Sequence, residues 1–141
     1  MEEGGPSIFS LIINGEIPCH KIYEDEHVFS FLDVNPFSPG HTLVVPKEAA
    51  VTLDALSEES AQAVGRVLPR ISRAVLDVSG ASEFNVLQNN GPNAFQSVPH
   101  VHFHIIPKFE DGRGLAWPFK SSPLDHEDGA RTASEIRDLL V

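Results

Sequence analysis

The sequence predicts an α+β fold built on an antiparallel sheet. Three observations carry the prediction. Apolar residues make up 41% of a 141-residue chain, enough for one core and too little for two. Five short segments rich in β-formers are bounded by turn signals. One long segment with helical spacing stands between the third and fourth of them. Strands, a helix, then strands again is the order of an α+β domain, so a single domain over residues 1–141 is expected.

Residues 1–6 read as a flexible tail. Ile8-Phe9-Ser10-Leu11-Ile12-Ile13 before Asn14-Gly15 gives one or two helical turns with a C-terminal stop. Strands follow over residues 21–24 and 28–34, the second closed by Asn35-Pro36 and Ser38-Pro39-Gly40. A third, over 41–45, is closed by Pro46. Over residues 57–78, Ser57 offers an N-cap, and Ala61, Val64, Val67, Leu68, Ile71, Val75 and Leu76 recur at three- and four-residue steps. A helix is expected there, ended by Gly80, and Pro69 must kink or split it. Two further strands are expected over 84–88 and 98–106, joined by a polar connection. Residues 108–128 read as irregular chain, and 133–140 as a short terminal helix.

Composition narrows the function. Twenty acidic against ten basic residues give a formal charge of −10, which argues against tight binding of a long nucleic-acid backbone. A mononucleotide is still allowed, because one phosphate can be held by main-chain N–H groups, hydroxyls and imidazoles. No run approaches the roughly 20 apolar residues that span a bilayer, and Met1-Glu2-Glu3-Gly4-Gly5-Pro6 lacks the features of a secretory leader. One cysteine, Cys19, rules out an internal disulfide framework. No membrane association and a cytoplasmic location are expected, with the nucleus also open.

The chemistry concentrates in Pro99-His100-Val101-His102-Phe103-His104-Ile105-Ile106. The histidines alternate with Val, Phe and Ile, the period-2 pattern of a strand with one face in the core, so the three imidazoles should share a side. An imidazole with an ordinary pKa near 6.5 serves as nucleophile, base or acid at neutral pH. Just upstream, Asn89-Asn90-Gly91-Pro92-Asn93-Ala94-Phe95-Gln96-Ser97 supplies amides, a hydroxyl and a flexible glycine that can wrap a phosphate. On residue type alone, the histidines could also be zinc ligands with an open position, or satisfied core residues. Asp33 could be a plain turn cap, and Ser97 and Asn89 could bond only local backbone.

The pattern His-x-His-x-His followed by apolar residues resembles the histidine-triad (HIT) family. So do Ile8-Phe9, Ile12 to Pro18, Phe31-Leu32-Asp33-Val34-Asn35-Pro36, Gly40 to Lys47, Gln96-Ser97-Val98 and Trp117-Pro118, in the right order from about residue 7 to 118. The resemblance implies a five-stranded antiparallel sheet with one long helix, pairing across a homodimer into ten strands. It further implies that His102 attacks the α-phosphorus of a purine nucleotide conjugate, forming a nucleotidyl-histidine that water hydrolyses to release AMP. On the same basis Ser97 serves the leaving group, and His104, Asn89 and Gln96 hold the phosphate. Asp33 holds the ribose, and Ile8, Phe9, Ile12, Phe31 and Val34 form the base slot. His100 and His41 orient the other rings, and Trp117 reaches toward the partner's site. An adenosine phosphoramidate is the favoured substrate; a dinucleoside polyphosphate, or a nucleotide-binding scaffold with incidental catalysis, is the alternative.

Two departures stand out. Many relatives bind a structural zinc through two cysteines, a histidine and the first triad histidine, but the matching positions here are Ser7, Ser10, Ala49 and His100. Serine and alanine do not replace thiolate or imidazole, so no structural metal and no cofactor is expected. Phe95 stands where many relatives carry a small residue or histidine, which bears on leaving-group preference.

Overall fold

Both faces of the central strands are apolar, and the fold covers both. A computed structural model describes residues 6–140. Its elements are α1 (Ile8–Ile13), β1 (Lys21–Glu24), β2 (Val28–Leu32), β3 (Thr42–Pro46), α2 (Glu58–Ser79), β4 (Glu83–Leu87), β5 (Phe103–Lys108) and α3 (His126–Leu139). The strands form one antiparallel sheet in the order β1-β2-β3-β5-β4. The expected α+β class and strand count hold. Residues 1–5 of the expected tail lie outside the described residues. Among the described residues, no helix is long and apolar enough to cross a membrane.

Alternation along the strands decides what each face meets. Val28, Val44 and Ile105 point to one face, where they pack on Ala63, Val64, Val67, Ile71 and Val75 of α2. Phe29, Phe31, Leu43 and Val45 point to the other, where Phe9 and Ile12 of α1 cover them. His104 pairs in register with Leu43, which puts its ring on the α1 face. The sheet therefore separates a structural side, closed by α2, from a side where α1 and the histidines meet.

The helices begin where their caps place them. Ser7 caps α1 by accepting from the Ser10 N–H, and Ser57 caps α2 by accepting from the Ser60 N–H. The α2 cap is reinforced by Glu48, whose carboxylate accepts from the Ser57 hydroxyl and N–H and from the Ser60 hydroxyl. Gly80 ends α2 at φ 79°, a left-handed C-cap that favours glycine.

Three expectations need correction. First, of the kink or split expected at Pro69, the split does not occur: α2 is one continuous helix. Pro69 and Gly65 both lie on the exposed side, so water can take the carbonyl bond that Pro69 has no N–H to make. Second, α3 begins at His126 rather than at residue 133, because Asp125 caps it by accepting from the N–H groups of Glu127 and Asp128. No residue of α3 is buried, so it lacks the apolar periodicity that would have extended the prediction upstream. Third, the last strand starts at Phe103, not at residue 98. Upstream of it the His100 N–H bonds to the Val98 carbonyl and the Val101 N–H to the Ala50 carbonyl, so residues 98–102 are held outside the sheet.

Candidate active site

His100 and His102 thus sit on the approach to β5 and only His104 lies within it, yet the alternation survives. Val101 is fully buried, while Phe9 of α1 packs edge-on against His100 and His102 at ring-centroid distances of 6.2 and 4.8 Å. His102 and His104 lie 4.9 Å apart, and His104 and His41 5.1 Å. The four imidazoles form one row on the α1 side of the sheet.

Hydrogen bonds fix which ring nitrogen carries each proton. The His100 Nε2–H donates to the Pro46 carbonyl at 2.8 Å, so its Nδ1 is free to accept from the Ser7 hydroxyl at 3.2 Å. The His102 Nδ1–H donates to the His100 carbonyl at 2.7 Å, which leaves the lone pair on Nε2. Burial pushes all four imidazoles below the ordinary histidine pKa. His104 is pushed to about 4 by burial first and then by the neighbouring His102 and His41. At neutral pH His102 is accordingly an uncharged ring with one unoccupied nitrogen, the state a nucleophile requires.

The other expected residues divide. Ser7, Ser10 and His100 do come together, but as a hydrogen-bonded cluster with Ser7 Oγ at its centre. Asp33 lies 3.5 Å from His41 Nε2 through one carboxylate oxygen, while the other accepts the Asn35 N–H at 2.8 Å as a turn cap. Both roles weighed for Asp33 are compatible, because a carboxylate accepts about four hydrogen bonds. Ser97 is exposed on the loop before His100, and the Asn89 amide reaches only the Phe95 carbonyl, at 3.4 Å.

Gln96 is placed differently from the phosphate contact expected of it. Its buried amide accepts from the Gly91 N–H and donates to the Val51 and Val98 carbonyls, while its own N–H bonds back to the Gly91 carbonyl. With both amide ends engaged, Gln96 holds the loop in shape. Of the base-slot set, Phe9, Ile12 and Phe31 are buried in the core, which leaves Ile8 and Val34, 48% and 76% exposed, as accessible surface. Trp117 is exposed and packs on Phe119 beside β4, over a recess of about 350 Å³ lined also by Val86, Leu87 and Leu115.

Phe37 and Pro46 were missed by sequence reasoning. Each acts through its main chain, so residue type gives no signal. The turn residues Asn35-Pro36 and Ser38-Pro39-Gly40 are the one hint that residue 37 folds back toward His41.

Comparison with known proteins bears on this constellation. The HIT domain matches residues 14–111. An adenosine 5'-monophosphoramidase of Schizosaccharomyces pombe is 44% identical over 131 residues, covering 92% of this chain and 94% of that protein. The Hit protein of Bacillus subtilis is 41% identical over 136 residues, covering 95% and 94%. A crystal structure of a HIT-family member from the same bacterium superposes with a TM-score of 0.89 at 39% identity, covering 95% of this chain and 96% of that one.

Proposed function

Because the chain belongs to the histidine-triad (HIT) family, we propose that it hydrolyses purine nucleotide conjugates at the α-phosphate, with an adenosine phosphoramidate as the representative substrate and AMP as product. The observation that carries the proposal is the state of His102: uncharged, held by the His100 carbonyl at Nδ1, and offering Nε2. In the first step Nε2 forms a bond to the α-phosphorus as the bond to the leaving group breaks. The leaving group takes a proton through the Ser97 hydroxyl, and the positive charge on the substituted ring is stabilised by the His100 carbonyl. Water then attacks the same phosphorus, the phosphorus–nitrogen bond breaks, His102 recovers its lone pair, and the proton lost by the water passes to solvent, which replaces the one relayed from solvent through Ser97 to the leaving group.

The remaining assignments follow from what each group has free. Asn89 and His104 face the phosphate oxygens, and Gln96 supports them by shaping the loop. Asp33 retains acceptor capacity for the ribose hydroxyls. Ile8 and Val34 flank the base over a floor of Phe9, Ile12 and Phe31. Incubated separately with adenosine 5'-phosphoramidate and with a diadenosine polyphosphate, the purified chain should release AMP faster from the first. A preference for the second would reassign the leaving group, and no AMP from either would sink the proposal.

We propose also that two copies pair across β4. This strand is an open edge with Phe84 and Val86 39% and 48% exposed, an arrangement that invites a second edge. Light scattering on the purified protein should give twice the mass of the chain; a monomer at micromolar concentration would refute the pairing.

A further inference from the structure

Ser7 lies far from the histidines in sequence, yet its side chain reaches one of them. Its Oγ is 3.2 Å from His100 Nδ1, across 93 residues of chain, 3.1 Å from the Ser10 nitrogen and 3.4 Å from Ser10 Oγ. We propose that Ser7 is a positioning residue: by donating its hydroxyl proton to His100 it clamps α1 onto the segment entering β5 without a metal ion, and so holds the Phe9 ring against His102.

Counting donors and acceptors gives the clamp its direction. The Pro46 carbonyl takes the single ring proton of uncharged His100 at Nε2, so Nδ1 can only accept. A hydroxyl has one proton and two lone pairs. Ser7 gives the proton to His100, takes the Ser10 N–H on one lone pair and the Ser10 hydroxyl proton on the other. The bonds therefore run in one line from the first turn of α1, through Ser7 and His100, to the main chain of β3. His100 is a firm anchor for that line: it is 1% exposed, its N–H bonds to the Val98 carbonyl, and the next N–H, that of Val101, bonds to the Ala50 carbonyl.

No second hydrogen bond holds α1 in this way. The helix has six residues, too few to persist alone in water. The N–H groups of Leu11, Asn14, Gly15, Glu16 and Ile17 all bond to carbonyls of residues 7–12. Among the described residues, the bond from Ser7 to His100 is the one hydrogen bond that joins residues 7–14 to another element. Phe9 and Ile12 supply the remaining hold by burial, which is non-directional and lets a short helix slide or roll. A directional bond two residues before Phe9 sets where its ring comes down, which is edge-on to His100 at 6.2 Å and to His102 at 4.8 Å.

The family resemblance puts a structural zinc of many relatives at the positions of Ser7, Ser10, Ala49 and His100, and the donor set here does not fit that ion. Both serine hydroxyls keep their protons at neutral pH, and Ala49 has no donor atom. The one strong donor, His100 Nδ1, already accepts from Ser7. The clamp performs the mechanical part of such an ion's work, tying α1 to His100, with a hydroxyl.

The effect on turnover rests on the hydrolase proposal; the clamp does not, and NMR on the full chain judges it alone. Nuclear Overhauser contacts between the ring protons of Phe9 and His102 should be present in the unmodified protein, weaken in Ser7→Gly and return in Ser7→Thr. Glycine serves at an N-cap about as well as threonine but has no hydroxyl, so the pair separates the clamp from the cap. Ser7→Gly should lower Tm by about 3–6 °C. It should lower kcat on adenosine 5'-phosphoramidate by about tenfold, with KM changed by less than about threefold. Ser7→Thr should recover most of both losses. Dialysis of the unmodified protein against EDTA should leave Tm where it was, and elemental analysis should find substoichiometric zinc. Unchanged ring contacts in Ser7→Gly, equal losses in the two variants, or stoichiometric zinc whose removal lowers Tm would each overturn the inference. If the unmodified protein hydrolyses no adenosine conjugate, the hydrolase proposal fails, and the spectra and melts still judge the clamp.

Discussion

His102→Ala should lower single-turnover hydrolysis of adenosine 5'-phosphoramidate by about 10⁴-fold or more, the scale seen when a covalent nucleophile is removed. The expectation rests on the Nδ1–H of this ring being held by the His100 carbonyl, which leaves a lone pair on an unbonded Nε2, whereas His100 is bonded at both of its nitrogens. The substitution also leaves the buried His100 carbonyl without its donor, a loss of about 1–3 kcal/mol in stability, so turnover must be corrected for folded fraction. His102→Gln, with an amide of similar reach, is the better-folded companion variant. Turnover close to that of the unmodified protein in both would remove the covalent mechanism.

The acid limb of the pH profile tests the same ring from another side. Burial favours the neutral form of His102 in the folded chain, whereas an exposed histidine titrates near 6.5. Activity that needs the lone pair should stay flat as pH falls through 6.5 and drop only below it. Stability moves in the same direction. His41, His100, His102 and His104 all have lowered folded pKa values, so the unfolded chain binds protons first. The stability they contribute is whole above about pH 6.5 and is lost progressively as pH falls toward about 4, the value for His104.

Much of this was legible in the sequence, and the reasons differ by element. The cap Ser57 and the stops at Asn14-Gly15 and Gly80 are local chemistry, and the helices they bound lie where the residues predict. The alternation of His100, His102 and His104 with apolar residues announces a shared face, and that survives even though the strand begins only at Phe103. The misplaced start has a tertiary cause: the Val101 N–H is claimed by the Ala50 carbonyl from a distant segment. The same limit applies to the site. Side chains such as His102, Ser97 and Asp33 can be picked out by type, but the groups that decide tautomers are the carbonyls of His100 and Pro46 and the N–H of Phe37. Every residue carries such groups, so only the fold reveals which ones matter. Gln96 illustrates the converse, since its amide is chemically suited to a phosphate and is consumed by the loop that presents it.

Phe9→Ala should be the most destabilising change near the site, and it couples the core to the chemistry. The ring is 6% exposed and meets Phe31 edge-on at 5.6 Å as well as His102 at 4.8 Å. Removing it leaves a cavity between α1 and the sheet, with a loss of about 3–5 kcal/mol and a fall in Tm of about 10–20 °C in a domain of this size. Phe29→Ala is the matched comparison. Phe29 is 5% exposed in the same cluster, contacts Phe31 at 6.0 Å, and makes no ring contact with the triad. The two variants should lose similar stability. Only Phe9→Ala should also lower kcat per folded molecule, because His102 then loses its edge-on support on the α1 side and keeps only the His100 carbonyl bond and the His104 ring beside it, so the ring can tilt. Thermal melts paired with kcat measured well below both midpoints would separate the effects. An equal loss of kcat in the two variants would mean that α1 stabilises the sheet without steering the nucleophile.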